Sequence, residues 1–350
     1  MSLLSDTTRL KKRFPTWLLP VFGYAVSAAS LVWVLRNPQL RGESVDHLRH
    51  LSWIWVALAL IFEVAANYSH AWRWRIILRP AEDIPRWRCF QSVLIGNFAS
   101  EVLPAKAGEV IRPFLLTHWT GVHLPLSMTS VVIEDVIDGI WLMVIYWLVT
   151  IGVPNLPRDL ADGAWVLGIG VAVLSVLFLY LLFHKQHSHK IVSGHKWASQ
   201  FIHYLDELHK MGEPRTLAAA FGISFLYVSL QTLSIWALLH ADHYDFNPWQ
   251  AALVLVVFRI ITLIPNAPGN VGILQWSTFL GVGLAGGEEG LAFGEVNFVF
   301  ITLARLLQGG IAILLTGVNL TELHRRARQA HKTASFPVGS VPGDQAGRTP

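Results

Sequence analysis

The chain contains two apolar segments that are interrupted by charged and helix-breaking residues. The first, Asn97–Arg112, reads NFASEVLPAKAGEVIR and holds four charged residues together with Pro104 and Gly108. A similar pattern returns in RIITLIPNAPGNVGILQW, where Pro265 and Gly269 repeat the Pro-x-x-x-Gly spacing. Inside a membrane, a helix can break in this way only where protein or a watery cavity satisfies the freed backbone groups. The two segments therefore predict a pair of broken membrane helices.

The composition agrees with a membrane setting. The 350 residues are 53% hydrophobic and 14% charged and include 15 Trp, and several apolar runs reach the roughly 20 residues that cross a bilayer. The formal net charge of +4 is small, which argues against nucleic acid as a partner. The single cysteine, Cys89, excludes an internal disulfide and a cysteine-based metal cluster. We expect one polytopic membrane domain over residues 1–320 and a basic, disordered cytoplasmic tail over residues 321–350.

The apolar runs predict six membrane-spanning helices in an all-α integral membrane fold, at about residues 17–35, 51–77, 127–150, 164–183, 216–240 and 293–317. The broken segments, about residues 90–119 and 249–285, are predicted to form two re-entrant helical hairpins. The first run could instead be a cleaved signal peptide, but its apolar residues continue beyond the small residues Ala25–Ser30, which favours a retained span. Residues 194–212 show the periodicity of an amphipathic helix on the membrane surface.

The basic residues determine the expected orientation. If both termini are cytoplasmic, most of the 27 Lys and Arg residues fall in cytoplasmic loops and in the tail, as the positive-inside rule requires. The segment Trp72–Arg75, in which indole rings alternate with cations, is then predicted to lie at the headgroup boundary. The two hairpins enter from opposite sides, so that the halves, about residues 15–152 and 164–319, are predicted to form an inverted repeat.

Charged residues inside the membrane segments are the candidate functional groups. A charge at the bilayer centre costs at least about 2.5–3.5 kcal/mol on insertion scales, so each one needs a partner or a function. Glu134 and Asp138 share one helix face, with Asp135 turned away. Two like charges on one face require either a proton on one carboxyl or a cation between them. The cations available in these segments are Lys106, Arg112, Arg259 and Arg305.

Two interpretations of these charges stay open at this stage. They are buried ion pairs that lock the hairpins into the bundle, or they line a polar cavity in which cations and half-helix N-termini hold a lipid phosphate. The carboxylates that flank the first break either pair with Lys106 and Arg112 or take part in gating or proton transfer; they are Glu101 and Glu109.

Amides form a second set of candidates. Asn266 and Asn270 lie in the second break, where they either satisfy loose backbone groups or bind a headgroup. Asn67 lies four residues after Glu63 in the second span, so both side chains could face the same cavity, although they belong to no motif.

No pattern in the sequence indicates a metal, a cofactor or an enzyme. His184, His187 and His189 lie in a lysine-containing loop without carboxylate or cysteine companions, which favours a solvated loop over a metal site. The chain shows no phosphate-cradling loop, nucleophile elbow or zinc-protease motif.

Three stretches resemble the signatures of the transmembrane region of the lysylphosphatidylglycerol synthases. They read NFASEVLPAKAGEVIRPFLL, IEDVIDGIW and LIPNAPGNVGILQ. That family also includes stand-alone flippase-like proteins, so the resemblance implies a polytopic bacterial inner-membrane protein that moves a lipid between leaflets. The synthases carry their aminoacyl-transferring domain after the membrane region. This chain ends at Pro350, so we do not expect aminoacyl transfer.

The chain departs from the family pattern at Gln275, where the signature often ends in a glutamate, and this weakens a proton-coupling role at that position. A separate question concerns Pro113, five residues after Gly108. Either the helix that follows the first break is kinked, or it begins near Arg112 with Pro113 in its first turn.

The predicted function is lipid translocation by a flippase-like transporter. The substrate would be an anionic or modified phospholipid, a polyprenyl-linked lipid or a hopanoid-type lipid, and membrane lipids are the expected partners. One alternative is a membrane-embedded transferase that uses Glu134, Asp138 or Glu101 as a base. Another is an accessory subunit that docks an envelope-lipid biosynthetic enzyme through residues 194–212 or through the basic tail.

Overall fold

The computed structural model describes residues 50–103, 106–152, 169–170, 173, 211–262, 268–287 and 290–316. These residues form eight long helices and no strand, so the predicted all-α fold is confirmed for them. The helices are α1 (Trp53–Leu78), α2 (Arg86–Val102), α3 (Gly108–Thr120), α4 (Leu124–Gly152), α5 (Pro214–Ala241), α6 (Pro248–Ile261), α7 (Ile273–Leu284) and α8 (Gly290–Thr316). A short 3₁₀ turn, Pro268–Asn270, precedes α7.

Three of the described helices are long and apolar enough to cross a membrane: α1, α5 and residues Ala292–Thr316 of α8. The helix α4 has 29 residues, but it carries three carboxylates. The predicted spans 17–35 and 164–183, the amphipathic helix 194–212 and the tail 321–350 lie outside the described residues, apart from residues 169, 170, 173, 211 and 212. The total of six spans therefore stays a prediction.

Each broken segment folds as two short helices joined by a break, and we call α2–α3 the first broken pair and α6–α7 the second. The helices pack against each other within each pair. In the first pair this approach depends on glycine, because a Cβ atom added to Gly108 would lie 1.8 Å from the carbonyl oxygen of Gly96. Gly108 thus serves the packing of α3 on α2 as well as the break itself. The re-entrant course of both pairs stays a prediction.

The contacts between helices repeat from one half to the other. If α1–α4 are matched in order with α5–α8, the contacts α1–α2, α2–α3, α3–α4 and α2–α8 have the counterparts α5–α6, α6–α7, α7–α8 and α4–α6. The matched helices α1 and α5 are antiparallel, because the N–H of Ser52 donates to the carbonyl of Ala241 at 2.9 Å and the hydroxyl of Ser234 donates to the carbonyl of Ala59 at 3.0 Å. Equivalent helices that run in opposite directions are what an inverted repeat produces.

The two breaks share an unusual backbone conformation. Lys106 has a φ of 49° and Asn270 a φ of 52°, in the left-handed region that non-glycine residues seldom adopt. Each lies two residues before a glycine at the start of the following helix. Gly108 is the first residue of α3, and Gly272 immediately precedes α7.

Matching Lys106 with Asn270 changes which residues of the two broken segments are equivalent. It aligns Pro104–Gly108 with Pro268–Gly272, which also has the Pro-x-x-x-Gly spacing. The pair Pro265 and Gly269, singled out in the sequence, begins three residues earlier. Spacing alone could not choose between the two matches, because both fit it equally well.

Two apolar clusters flank the polar interior. One joins α1, α5, α6, α7 and α8 and contains Tyr227, Leu238 and Phe293. The other joins α1, α2, α3, α4 and α5 and contains Trp74 and Ile133. Tyr227 and Trp74 present their ring faces to arginines, so the charged residues lie where the two clusters meet.

Candidate functional site

Four charged residues from three helices form one network, which we call the arginine–carboxylate cluster: Arg73 on α1, Arg112 on α3, and Glu134 and Asp138 on α4. Arg112 Nη2 lies 2.7 Å from Glu134 Oε2, and Arg73 Nε lies 3.3 Å from Glu134 Oε1. Arg73 also binds both oxygens of Asp138, with Nη2 at 3.1 Å from Oδ2. A cation therefore lies between the two carboxylates, and their repulsion does not require a shared proton.

Arg73 faces the interior of the bundle, and its depth relative to the headgroup boundary stays a prediction. Its side chain is 0% exposed. Its neighbour Trp74 is also fully buried, donates its indole N–H to Ser130 Oγ at 2.7 Å, and carries the Arg112 guanidinium 4.7 Å from its ring centroid. The helix α1 continues to Leu78, so position 73 is still inside it. The alternation of Trp and Arg concealed the helical spacing that places Arg73 on the buried face.

Neutral side chains add hydrogen bonds to both arginines, although Arg112 Nε has no partner among the described residues. Arg112 Nη1 lies 2.7 Å from His70 Nε2, which must be the acceptor because a guanidinium only donates. Arg73 Nη1 donates to Ser224 Oγ at 2.8 Å, and its guanidinium lies 5.2 Å from the ring centroid of Tyr227. His70, Ser224 and Tyr227 belong to no motif, and only the packing of α1 against α5 brings them to the cluster.

The two breaks meet at Glu101, near the end of α2. Glu101 Oε1 lies 2.5 Å from Arg305 Nη1 on α8, and its side chain is 2% exposed. The other oxygen, Oε2, has no hydrogen-bond partner among the described residues and lies 3.2 Å from the position that a Cβ atom on Gly269 would take. Gly269 itself has a φ of 68°, which favours glycine. We call this approach of Glu101 and Gly269 the break contact.

The sequence suggested that the carboxylates of the first break pair with Lys106 and Arg112. The structure does not show this pairing for Glu101 or for Arg112: Glu101 binds Arg305, and Arg112 binds Glu134. Glu109 is exposed in the first turn of α3. Lys106 is half-buried, and its side chain makes no hydrogen bond or ion pair to a described residue. Neighbours in sequence are separated here because the break turns α3 away from the end of α2.

Arg259 on α6 is held by neutral groups. Its Nη2 donates to Tyr227 Oη at 3.1 Å and to Gln231 Oε1, and Gln231 Nε2 donates to Tyr227 Oη at 3.0 Å. Its guanidinium lies 5.3 Å from the Tyr227 ring centroid, close to the 5.2 Å found for Arg73. Tyr227 therefore stacks with two arginines, and within the described residues Arg259 has no carboxylate in ion-pair contact.

Asn67 connects α1 to α2 and α8. Its Nδ2 lies 3.1 Å from Gln308 Oε1 and 3.4 Å from Glu63 Oε1, and its Oδ1 accepts from Asn97 Nδ2 at 3.1 Å. Glu63 and Asn67 do face the polar interior of the bundle. Gln308 and Asn97 were missing from the sequence prediction, because contacts between amides on three different helices produce no regular residue spacing within one segment.

The residues of the second break have separate roles. Gln275 is buried and its Oε1 accepts from the N–H of Gly272 at 2.8 Å, so it caps α7. Asn270 is half-buried and makes no hydrogen bond or ion pair to a described residue. Asn266 and Pro265 lie outside the described residues, as does Pro104 in the first break.

The helix α3 begins at Gly108 and runs through Pro113, so a helix start near Arg112 is the wrong alternative. A proline in the helix interior leaves the carbonyl four residues earlier without its N–H partner. That carbonyl belongs to Glu109, which is exposed. The Pro113 carbonyl in turn accepts from Ser127 Oγ on α4 at 3.3 Å.

A small cavity of about 30 Å³ lies between α1, α5, α6 and α8. Its polar lining consists of Glu63, Gln231, Ser234, Asn297 and Arg305. The described residues contain no group of three or more His, Cys, Asp or Glu side chains placed to hold a metal ion. The segment that contains His184, His187 and His189 lies outside them.

These features define a class: an all-α membrane protein in which two broken helix pairs meet inside the bundle beside buried arginine–carboxylate pairs. The chain belongs to the family of the lysylphosphatidylglycerol synthase TM region, whose profile matches residues 21–315. It is similar to a UPF0104 membrane protein of Methanothermobacter thermautotrophicus, with 22% identity over 285 residues that cover 74% of this chain and 82% of that protein. No solved structure matches the chain significantly.

Proposed function

We propose that this protein is a flippase-like transporter that moves an anionic or modified lipid between the leaflets of a bacterial inner membrane. The observation that supports this most is the break contact between Glu101 and Gly269. Non-helical backbone at membrane depth is tolerated only where protein or water shelters it. Broken helices that meet at the centre of an inverted repeat are typical substrate sites of transporters.

In this proposal the headgroup passes between the two broken pairs while the hydrocarbon chains stay in the bilayer. The cavity of about 30 Å³ beside Arg305 has room for roughly two water molecules and is too small for a lipid headgroup. The described arrangement is therefore a closed one, and the broken pairs must separate to admit the substrate. Alternate opening of the two pairs would expose the headgroup first to one side of the membrane and then to the other.

The charged residues divide into two groups with different proposed roles. The arginine–carboxylate cluster consists of mutual ion pairs across three helices, which supports a structural role in which it fixes α3 and α4 against α1. Among the described residues, Arg259 is bound only by Tyr227 and Gln231, so its charge is available to a phosphate. Headgroup recognition is therefore assigned to the second half and bundle integrity to the cluster.

The geometry supports transport over a lipid-modifying transferase. A general base needs a carboxylate that can accept a proton from its substrate. Glu134, Asp138 and Glu101 each form an ion pair with an arginine, so a substrate would have to displace that arginine before it could reach the carboxylate. Phospholipids, polyprenyl-linked lipids and hopanoid-type lipids stay the candidate substrates.

The test is lipid flipping in proteoliposomes, with headgroup-labelled lipids of each class and a membrane-impermeant quencher. The wild type should accelerate flipping of at least one class. Glu134→Gln and Arg112→Ala should slow it, whereas Asp135→Asn, which changes an exposed neighbour of Glu134, should not. If no class is flipped with or without an imposed proton gradient, the transferase and accessory-subunit hypotheses replace this one.

A further inference from the structure

Four positive and four negative side chains lie in the arginine–carboxylate cluster, at the break contact and around the cavity. They are Arg73, Arg112, Arg259 and Arg305 on one side and Glu63, Glu101, Glu134 and Asp138 on the other. Six of these eight groups form ion pairs with one another. The remaining two, Glu63 and Arg259, contact only neutral partners among the described residues. One negative and one positive charge are thus left without an opposite charge in contact.

Glu63 lies near the middle of α1, ten residues after Trp53. At 1.5 Å per residue this is about 15 Å along the helix, half of the roughly 30 Å hydrocarbon thickness. Its one described hydrogen bond comes from the Asn67 amide at 3.4 Å. If α1 crosses the membrane from Trp53, Glu63 lies near the midplane, where a carboxylate with such a weak neutral partner is costly while it is ionised.

Arg259 lies on the other side of the same cavity. Gln231, which binds Arg259, lines the cavity together with Glu63 and Arg305. Arg305 and Arg259 are also the two cations close enough to attract Glu63. Among the described residues, the charged groups that act on Glu63 are therefore Arg259 on α6 and Arg305 on α8, and its hydrogen-bond partner is Asn67 on α1.

We propose that Glu63 is a proton-binding site that couples the entry of one anionic headgroup to the uptake of one proton. This inference rests on the proposed transport function. While Glu63 is ionised, the charges of these eight groups cancel. A phosphodiester that binds Arg259 adds one negative charge. The sum is unchanged if one proton from the bulk solution reaches the Glu63 carboxylate through the cavity, so that the carboxylate becomes a neutral acid.

Glu63 fits this role better than the other interior carboxylates. A proton on Glu101, Glu134 or Asp138 would remove one member of an ion pair and leave an arginine buried without its partner. A proton on Glu63 breaks no ion pair. The cavity beside it exceeds the ~10–15 Å³ that a water molecule needs, and water is the medium from which the proton would come.

The coupling predicts electroneutral transport, in which one proton accompanies each phosphodiester. We would measure flipping of headgroup-labelled phosphatidylglycerol in proteoliposomes under a pH gradient alone and under a membrane potential alone. The wild type should accumulate the label with a limiting ratio of about tenfold per pH unit, since one proton per lipid corresponds to 1.4 kcal/mol. The membrane potential should leave its rate unchanged.

Glu63→Gln should abolish the response to the pH gradient and make flipping respond to the membrane potential, because the empty interior then carries one permanent positive charge. Glu213→Gln makes the same chemical change at an exposed residue and should keep the wild-type behaviour. A pH response that survives in Glu63→Gln, or a wild type that flips the lipid without any pH response, contradicts the coupling while the transport function stands. A wild type that flips no lipid in any condition overturns the transport function itself.

A second measurement needs no variant, so it also covers a Glu63→Gln protein that fails to fold. Phosphatidylglycerol added to the wild type in weakly buffered detergent should cause uptake of about one proton per bound lipid, recorded with a pH-sensitive dye. Binding without proton uptake would overturn the proposal.

Discussion

The substitution Gly269→Ala isolates the contact between the two breaks. Gly269 has a φ of 68°, a conformation that costs an L-residue with a Cβ atom roughly 1–2 kcal/mol. The new methyl group would also lie 3.2 Å from Glu101 Oε2 and 3.5 Å from the Glu101 carbonyl oxygen. The first of these distances is shorter than ordinary van der Waals contact, so either Glu101 or the turn must shift. Movement of Glu101 would disturb its ion pair with Arg305.

A matched control separates the backbone cost from the cost of this contact. Gly121 at the end of α3 has a φ of 77°, and a Cβ atom added there would meet nothing within 4 Å. Gly121→Ala should therefore cost only the roughly 1–2 kcal/mol of the backbone. Gly269→Ala should cost more, because a shift of Glu101 also weakens a buried ion pair.

The single cysteine provides the assay. Cys89 is buried, so a thiol-reactive dye should label it only when the bundle opens, and the midpoint of labelling on heating reports stability in detergent. We expect the midpoint to fall in the order wild type, Gly121→Ala, Gly269→Ala. If the two alanine variants unfold at the same temperature, then Glu101 does not confine Gly269 and the break contact is not a constraint.

Three further predictions use the same dye-labelling assay. Glu134→Gln should destabilise the protein by about 3–5 kcal/mol, because it leaves buried arginine charge without its partner, and Asp135→Asn at the exposed neighbouring position should change the midpoint little. Gly108→Ala should lower the midpoint far more than Gly222→Ala, since a Cβ atom would meet the Gly96 carbonyl at 1.8 Å at the first position and nothing within 4 Å at the second. Glu101→Gln should destabilise the protein, because Arg305 then loses its partner. In a double-mutant cycle with Arg305→Met, the two losses of stability should be less than additive. Additive losses would show that the ion pair contributes nothing.

The helices could be predicted from the sequence because their signals are local. The second apolar run was expected at about residues 51–77, and α1 occupies Trp53–Leu78. The first broken segment was expected at about residues 90–119, and its two helices end at Val102 and Thr120 with the break between them. Apolar length and a proline followed by a glycine act within a single segment, so one sequence is enough to detect them.

The partners of the charged residues could not be predicted in the same way. Glu101 binds Arg305, which lies 204 positions away along the chain, rather than a cation of its own segment. Arg73 was assigned to the membrane surface because the flanking tryptophans suggested an interface, yet α1 packs its position against α4 and α5. The choice of partner depends on which helix faces are in contact, and this is a property of the bundle rather than of any segment.

The positions of the interior charged groups on α1–α4 and α5–α8 determine which contacts change when the helices move apart. Of the eight charged groups considered above, Arg259 and Arg305 lie on α6 and α8, whereas the other two arginines and all four carboxylates lie on α1–α4. The ion pair between Glu101 on α2 and Arg305 on α8 joins these two sets of helices at the break contact. In the proposed transport cycle, a motion that carries α2 away from α8 weakens this ion pair, and an anionic headgroup that enters beside Arg305 would compensate for the loss. A substrate that binds the open arrangement more tightly than the closed one is what a transporter needs in order to open only when it is loaded.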